Sequence, residues 1–173
     1  MVAPVAAPLI LALVLPRDLF DRLDALRRAH YPPARNRVPA HLTLFHHLPG
    51  PQAPRLAEDL RAEMAAALAP ELWLSGLVSL GRGVAVRVES PALLELRARL
   101  AARWEALLVP QDRAAFRPHV TLANKLAPSE ARRLLSDLSA RFRPERAIAR
   151  GLALYAYRPD GRWAELETRR FRP

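Results

Sequence analysis

The chain has 173 residues, 51% of them hydrophobic and 25% charged, which suits one domain, or two small lobes sharing a core, able to fold unaided. It contains no cysteine, so disulfides, thiolate zinc sites, iron–sulfur clusters and a cysteine nucleophile are excluded together. Its 27 basic against 17 acidic residues give a formal charge of +10, a field that favours anionic partners, although every basic residue except Lys125 is an arginine in a chain rich in Ala, Leu and Pro.

Val2 to Leu15 is uncharged but lacks a basic leader, is shorter than the roughly 20 residues of a spanning helix, and runs straight into a charged helical pattern. Its second half, Leu9 to Leu15, reads as a buried strand, and the cytoplasm is the expected compartment, with no membrane association. Pro16 and Asp18 then open an amphipathic helix through Leu19, Phe20, Leu23 and Leu26. His30 to Pro39 holds too many prolines for a helix or a central strand and reads as a basic loop leading into a short strand, Ala40 to Phe45. A turn, Leu48 to Pro54, precedes a helix marked by Leu56, Leu60, Met64 and Leu68.

Leu72 to Leu80 and Val84 to Glu89 read as a hairpin around Gly81-Arg82-Gly83. Pro91 starts a third helix with Leu93, Leu96, Leu100, Trp104 and Leu107 on one side. A loop, Val109 to Pro118, delivers a strand from His119 to Asn124, and Pro128 opens a fourth helix using Leu134, Leu135 and Leu138. Ala149 to Tyr157 and Trp163 to Phe171 form a closing hairpin about Pro159-Asp160-Gly161. The order is α+β in a single domain spanning residues 1–173, with a hint of duplication into two comparable halves.

One short motif repeats. His41-Leu42-Thr43-Leu44 returns 78 positions later as His119-Val120-Thr121-Leu122. With five histidines and three threonines in the chain, even one His-x-Thr is expected only about 0.1 times by chance. On a strand the His and Thr of each copy share one face while the apolar residues anchor the other. Two imidazoles flanking a phosphate supply a general base and a general acid, and two threonine hydroxyls donate to its non-bridging oxygens. Histidine serves both roles because its ordinary pKa, about 6.5, lets both protonation states coexist near neutrality.

These paired motifs resemble the 2H phosphoesterase superfamily, the group of bacterial 2′-5′ RNA ligase and 2′,3′-cyclic phosphodiesterase proteins, most specifically at Pro39 to Phe45 and Phe116 to Lys125. The resemblance implies a bilobal duplicated fold, with antiparallel sheets flanked by helices and an active cleft between the lobes. It further implies metal-independent cleavage of 2′,3′-cyclic or 2′,5′-linked phosphodiesters of RNA ends or small nucleotides, with reverse ligation available. The catalytic residues it implies are His41, Thr43, His119 and Thr121.

Strand alternation carried past Thr121 reaches Lys125, a point charge for a phosphate, and carried past Thr43 reaches Phe45, a stacking surface for a base, and then His47. Arg35 and Arg37 in the basic loop, and Tyr155, Tyr157 and Arg158 late in the chain, are candidates for an RNA backbone. His46 and His47 beside His41 invite a metal, but there is no HExxH, and no carboxylate lies between Asp24 and Glu58. No metal is expected. No phosphate-binding or dinucleotide fingerprint occurs, so no cofactor is expected either, nor is an obligate protein partner. The competing readings are a non-catalytic RNA-binding protein using the arginine-rich surface and a metal-dependent hydrolase.

Overall fold

The computed structural model describes residues 1–172. The chain first forms β1 (Leu9–Val14), α1 (Arg17–His30), β2 (Leu42–Leu48), α2 (Ala53–Ala66), β3 (Glu71–Ser79) and β4 (Val84–Glu89). It continues through α3 (Pro91–Arg103), the single turn α4 (Pro110–Arg113), β5 (His119–Ala123), α5 (Pro128–Arg141), β6 (Glu145–Ile148), β7 (Gly151–Tyr157) and β8 (Trp163–Arg170). The strands build two antiparallel four-stranded sheets, ordered β2-β1-β7-β8 and β5-β4-β3-β6.

Each sheet carries its His-x-Thr strand, β2 or β5, at one edge. The lobes are not the sequence halves, however. β1 is buried along nearly its whole length, so its backbone N–H and C=O groups need a partner strand at each edge. It takes β2 and, from the end of the chain, β7. The hairpin β3–β4 is left to pair with β5 and β6 in the second sheet. The closing hairpin thus completes the first lobe, which ties both ends of the sequence into one sheet.

Leu9, Leu11, Leu42, Leu48 and Leu152 of the first sheet and Leu72, Leu74, Val86 and Val120 of the second belong to one continuous core. Trp104, which follows α3, is almost completely buried there, and its indole N–H donates to Asp59 of α2 at 2.9 Å. Helix starts follow local chemistry: the Ser90 hydroxyl accepts from the Leu93 N–H at 3.3 Å at the head of α3, and Glu130 accepts from the Ala127 N–H at 3.0 Å before α5. Gly81 holds the β3–β4 turn with φ of 77°, a conformation that L side chains rarely adopt.

Three local expectations change. α2 stops at Ala66, because Ala67 turns extended to lead toward β3; Leu68 therefore leaves the helix and is exposed. The loop after α3 contains α4 and its buried Asp112. β6 carries the polar sequence Glu-Arg-Ala-Ile, which gives little strand signal; it forms as an edge against β3, with Arg146 over the Trp73 ring and paired with Glu71. Among the described residues, no helix is long and apolar enough to cross a membrane.

Candidate active site

His41 immediately precedes β2 and His119 opens β5, and these two edge strands run close together where the sheets meet. Leu42, Leu44, Val120 and Leu122 are buried, whereas Thr43 and Thr121 are only half-buried, so both motifs alternate with their polar residues off the core.

The two imidazoles are held in the same way. His41 Nδ1 lies 2.7 Å from the Pro39 carbonyl oxygen and His119 Nδ1 lies 2.8 Å from the Arg117 carbonyl oxygen, in each case the carbonyl two residues upstream. A carbonyl only accepts, so each Nδ1 carries the hydrogen. Nε2 is thereby left on both rings, as an acceptor when the ring is neutral and a donor when it is cationic.

Their surroundings differ. Burial pushes the His41 imidazole down from 6.5 to about 4; the Pro39 hydrogen bond works the other way, and the positive charges of Arg27, His46 and His119 add to the depression. Trp163 of β8 covers the ring, with centroids 4.5 Å apart and planes inclined by 51°, and Tyr155 of β7 lies 5.5 Å beyond Trp163. A cavity of about 1090 Å³ opens from His41 along this aromatic wall.

Two buried arginines brace the motif strands. Arg27 of α1 donates through Nη1 to the Thr121 carbonyl at 2.8 Å and through Nε to Asn36 at 2.9 Å. Arg97 of α3 donates through Nε to the Leu44 carbonyl at 3.3 Å and through Nη2 to the Asp112 carbonyl. The Asp112 carboxylate in turn accepts from the backbone N–H groups of His46 and His47, each at 2.9 Å, and from His46 Nδ1 at 3.1 Å. Burial alone would raise its pKa, but these hydrogen bonds outweigh burial and hold it below the ordinary carboxylate value.

This bracing corrects several expected positions. In β2 two residues advance from Thr43 to Phe45 while β1 advances one from Ala12 to Leu11, and a second irregularity follows before Leu48. These bulges break the alternation. Phe45 turns into the core, fully buried against Trp104 at 5.3 Å and under the Arg97 guanidinium at 4.2 Å, and is closed to a base. His47 and His46 are exposed beside Asp112 rather than extending the His41 face. Lys125 lies two residues past the end of β5, exposed, with φ of 64°, so the strand period does not carry to it.

In the basic loop, Arg37 lines the cavity, whereas Arg35 sits in an exposed single turn outside it. Tyr157 is exposed beyond the cavity, and Tyr155 lines it instead. Among the described residues no three of His, Cys, Asp and Glu gather as a metal ion would need.

Trp163, Arg27, Arg97 and Asp112 join the site without being expected there from the sequence. A signal existed for both arginines: Leu19, Leu23 and Arg27 are spaced by four, as are Leu93 and Arg97, so each arginine occupies an apolar-stripe position of its helix. For Trp163 and Asp112 no local pattern points to the site.

The model of a family described as the 2′-5′ RNA ligase superfamily matches residues 15–161. No curated protein matches the sequence. Among solved structures, TT0787 of Thermus thermophilus aligns with a TM-score of 0.66 at 26% identity, over 95% of this chain and 98% of that one. E. coli LigT complexed with NADP+ aligns with a TM-score of 0.63 at 20% identity, over 95% of this chain and 98% of that one. E. coli LigT complexed with 3′-AMP gives 0.55 at 19% identity, over 96% and 99%. The LigT alignments establish a shared fold of two antiparallel sheets with flanking helices.

Proposed function

The chain belongs to the 2′-5′ RNA ligase superfamily, and from that premise we propose that it is a metal-independent phosphodiesterase acting on 2′,3′-cyclic or 2′,5′-linked phosphodiesters of RNA ends or small nucleotides. His41 and His119 are its proton-transfer groups, and Thr43 and Thr121 donate hydrogen bonds to the non-bridging phosphate oxygens. The observation that carries this reading is the matched support of the two imidazoles, each with Nδ1–H given to the carbonyl two residues upstream and Nε2 left for chemistry.

For a 2′,3′-cyclic phosphate, one Nε2 takes a proton from water as its oxygen bonds to phosphorus. The bond from phosphorus to one ribose oxygen breaks, and the other imidazole, entering as the cation, gives its Nε2 proton to that oxygen. The rings leave the step with their protonation states exchanged, so each must trade a proton with solvent before the next turnover. With a ribose hydroxyl in place of water, the same steps run forward: its oxygen bonds to phosphorus, one bond of the cyclic phosphate breaks, and two ends are joined. LigT has been crystallised with 3′-AMP, a ligand of the size and charge this site would accept.

In the free protein His41 is neutral at physiological pH. A bound phosphate favours its cation, so binding the anion and protonating the ring are coupled. The test is a turnover screen of 2′,3′-cyclic nucleotides, RNA ending in a cyclic phosphate and 2′,5′-linked oligonucleotides. Wild type is expected to cleave at least one class and a His41→Ala/His119→Ala double variant none. Tight RNA binding without turnover of any class would favour a non-catalytic RNA-binding protein.

A further inference from the structure

The cavity beside His41 is larger and more basic than one cyclic phosphate requires. Its volume, about 1090 Å³, lies just above the roughly 300–1,000 Å³ range of small-molecule sites. His119, Thr43 and Thr121 are not among its lining residues, so it runs away from the histidine pair to one side, within the first lobe.

Five arginines line it: Arg17, which is paired with Asp21 at 2.9 Å, and Arg37, Arg150, Arg162 and Arg170, all exposed. Some arginines elsewhere sit on carboxylates, as Arg22 does on Glu145 at 2.8 Å and Arg99 on Glu63 at 2.6 Å. Among the described residues, Arg37, Arg150, Arg162 and Arg170, unlike Arg17, have no carboxylate within 4.0 Å and no side-chain hydrogen bond. The one acidic group of the lining, Glu165, accepts from the Thr168 hydroxyl at 2.8 Å. Unneutralised like charges in a concave wall raise the local concentration of anions and repel one another until an anion arrives. Guanidinium groups suit phosphate in particular, because their fork matches its oxygens. The wall between these arginines and His41 is aromatic, formed by Trp163 and Tyr155, and offers a face to a base.

We propose that this cavity is a subsite for the nucleotide preceding the reacting phosphodiester and for that nucleotide's own phosphate, so that the preferred substrate is an RNA end of two or more nucleotides rather than a cyclic mononucleotide. The inference rests on the phosphodiesterase reading for its chemistry and on the arginine cluster for its specificity.

The test is equilibrium binding of adenosine 3′-monophosphate and of the dinucleotide ApAp, which adds one base and one phosphodiester. Wild type binds ApAp at least tenfold tighter, and in an Arg150→Gln/Arg170→Gln variant the ratio falls to within about threefold. The affinity for ApAp also falls more steeply with salt, by roughly 0.7 in the logarithmic slope for one further phosphate neutralised. Equal affinity for the two ligands, or a variant that weakens both by the same factor, overturns the inference. Turnover of the matching cyclic phosphates separates this result from the reading beneath it: a wild type that cleaves neither yet keeps its preference for ApAp defeats the phosphodiesterase reading and leaves the subsite standing.

Discussion

The Trp163 indole lies against the His41 imidazole with ring centroids 4.5 Å apart, although 122 positions separate the two residues in the chain. The contact exists because the closing hairpin completes the first sheet, bringing β8 into the lobe that carries β2. It also shields His41 from water and so helps to hold the ring neutral.

Trp163→Ala therefore raises the pKa of His41 from about 4 toward the ordinary 6.5, read by an NMR pH titration of the imidazole resonances. Inorganic phosphate added to wild type shifts the same resonance in the same direction. A His41 titration that responds to neither change removes both burial and the bound anion as controls on this group.

The depressed pKa has a sign for stability. Between pH 6.5 and about 4 the unfolded chain binds a proton at His41 that the folded protein does not. The stabilisation is complete above 6.5 and is lost as pH falls through this window. His41→Ala accordingly flattens this part of the stability curve in urea unfolding measured at several pH values. An unchanged slope contradicts the assignment.

Asp112 holds the β2 bulge through two backbone N–H groups and the His46 ring. Asp112→Ala removes the buried acceptor of these donors and costs about 1–3 kcal/mol in urea unfolding, while Asp112→Asn, which keeps an acceptor oxygen, costs less. Equal stability of Asp112→Ala and wild type would show that the carboxylate does not support the strand.

The parts of this molecule that are legible in the sequence depend on local periodicity. The apolar run of β1, the stripes of α1 and α3, and the two His-x-Thr strands are read directly from spacing. The parts that are not legible depend on distant pairing. Phe45 departs from the strand period because bulges in β2, set by its register with β1, turn its side chain inward. Lys125 departs from it because β5 stops at Ala123. Trp163 reaches His41 only through the sheet order, and β6 becomes a strand only because β3 offers an open edge.

Two coupled imidazoles predict a bell-shaped dependence of turnover on pH. Because the bound phosphate favours the cation, the limb belonging to His41 lies at lower pH in kcat/KM, which reports the free protein, than in kcat. Activity survives exhaustive chelation. A metal-depleted protein that regains activity only with a divalent ion would overturn the two-histidine mechanism in favour of a metal hydrolase.

The most direct test of the central claim is the turnover of a cleavable cyclic phosphate by His41→Ala and His119→Ala, each measured separately against wild type. Both rates fall by about 10²- to 10⁴-fold, with far-ultraviolet circular dichroism unchanged, because each variant removes one of the two proton-transfer groups. Full activity in either folded variant would contradict the pairing of these histidines.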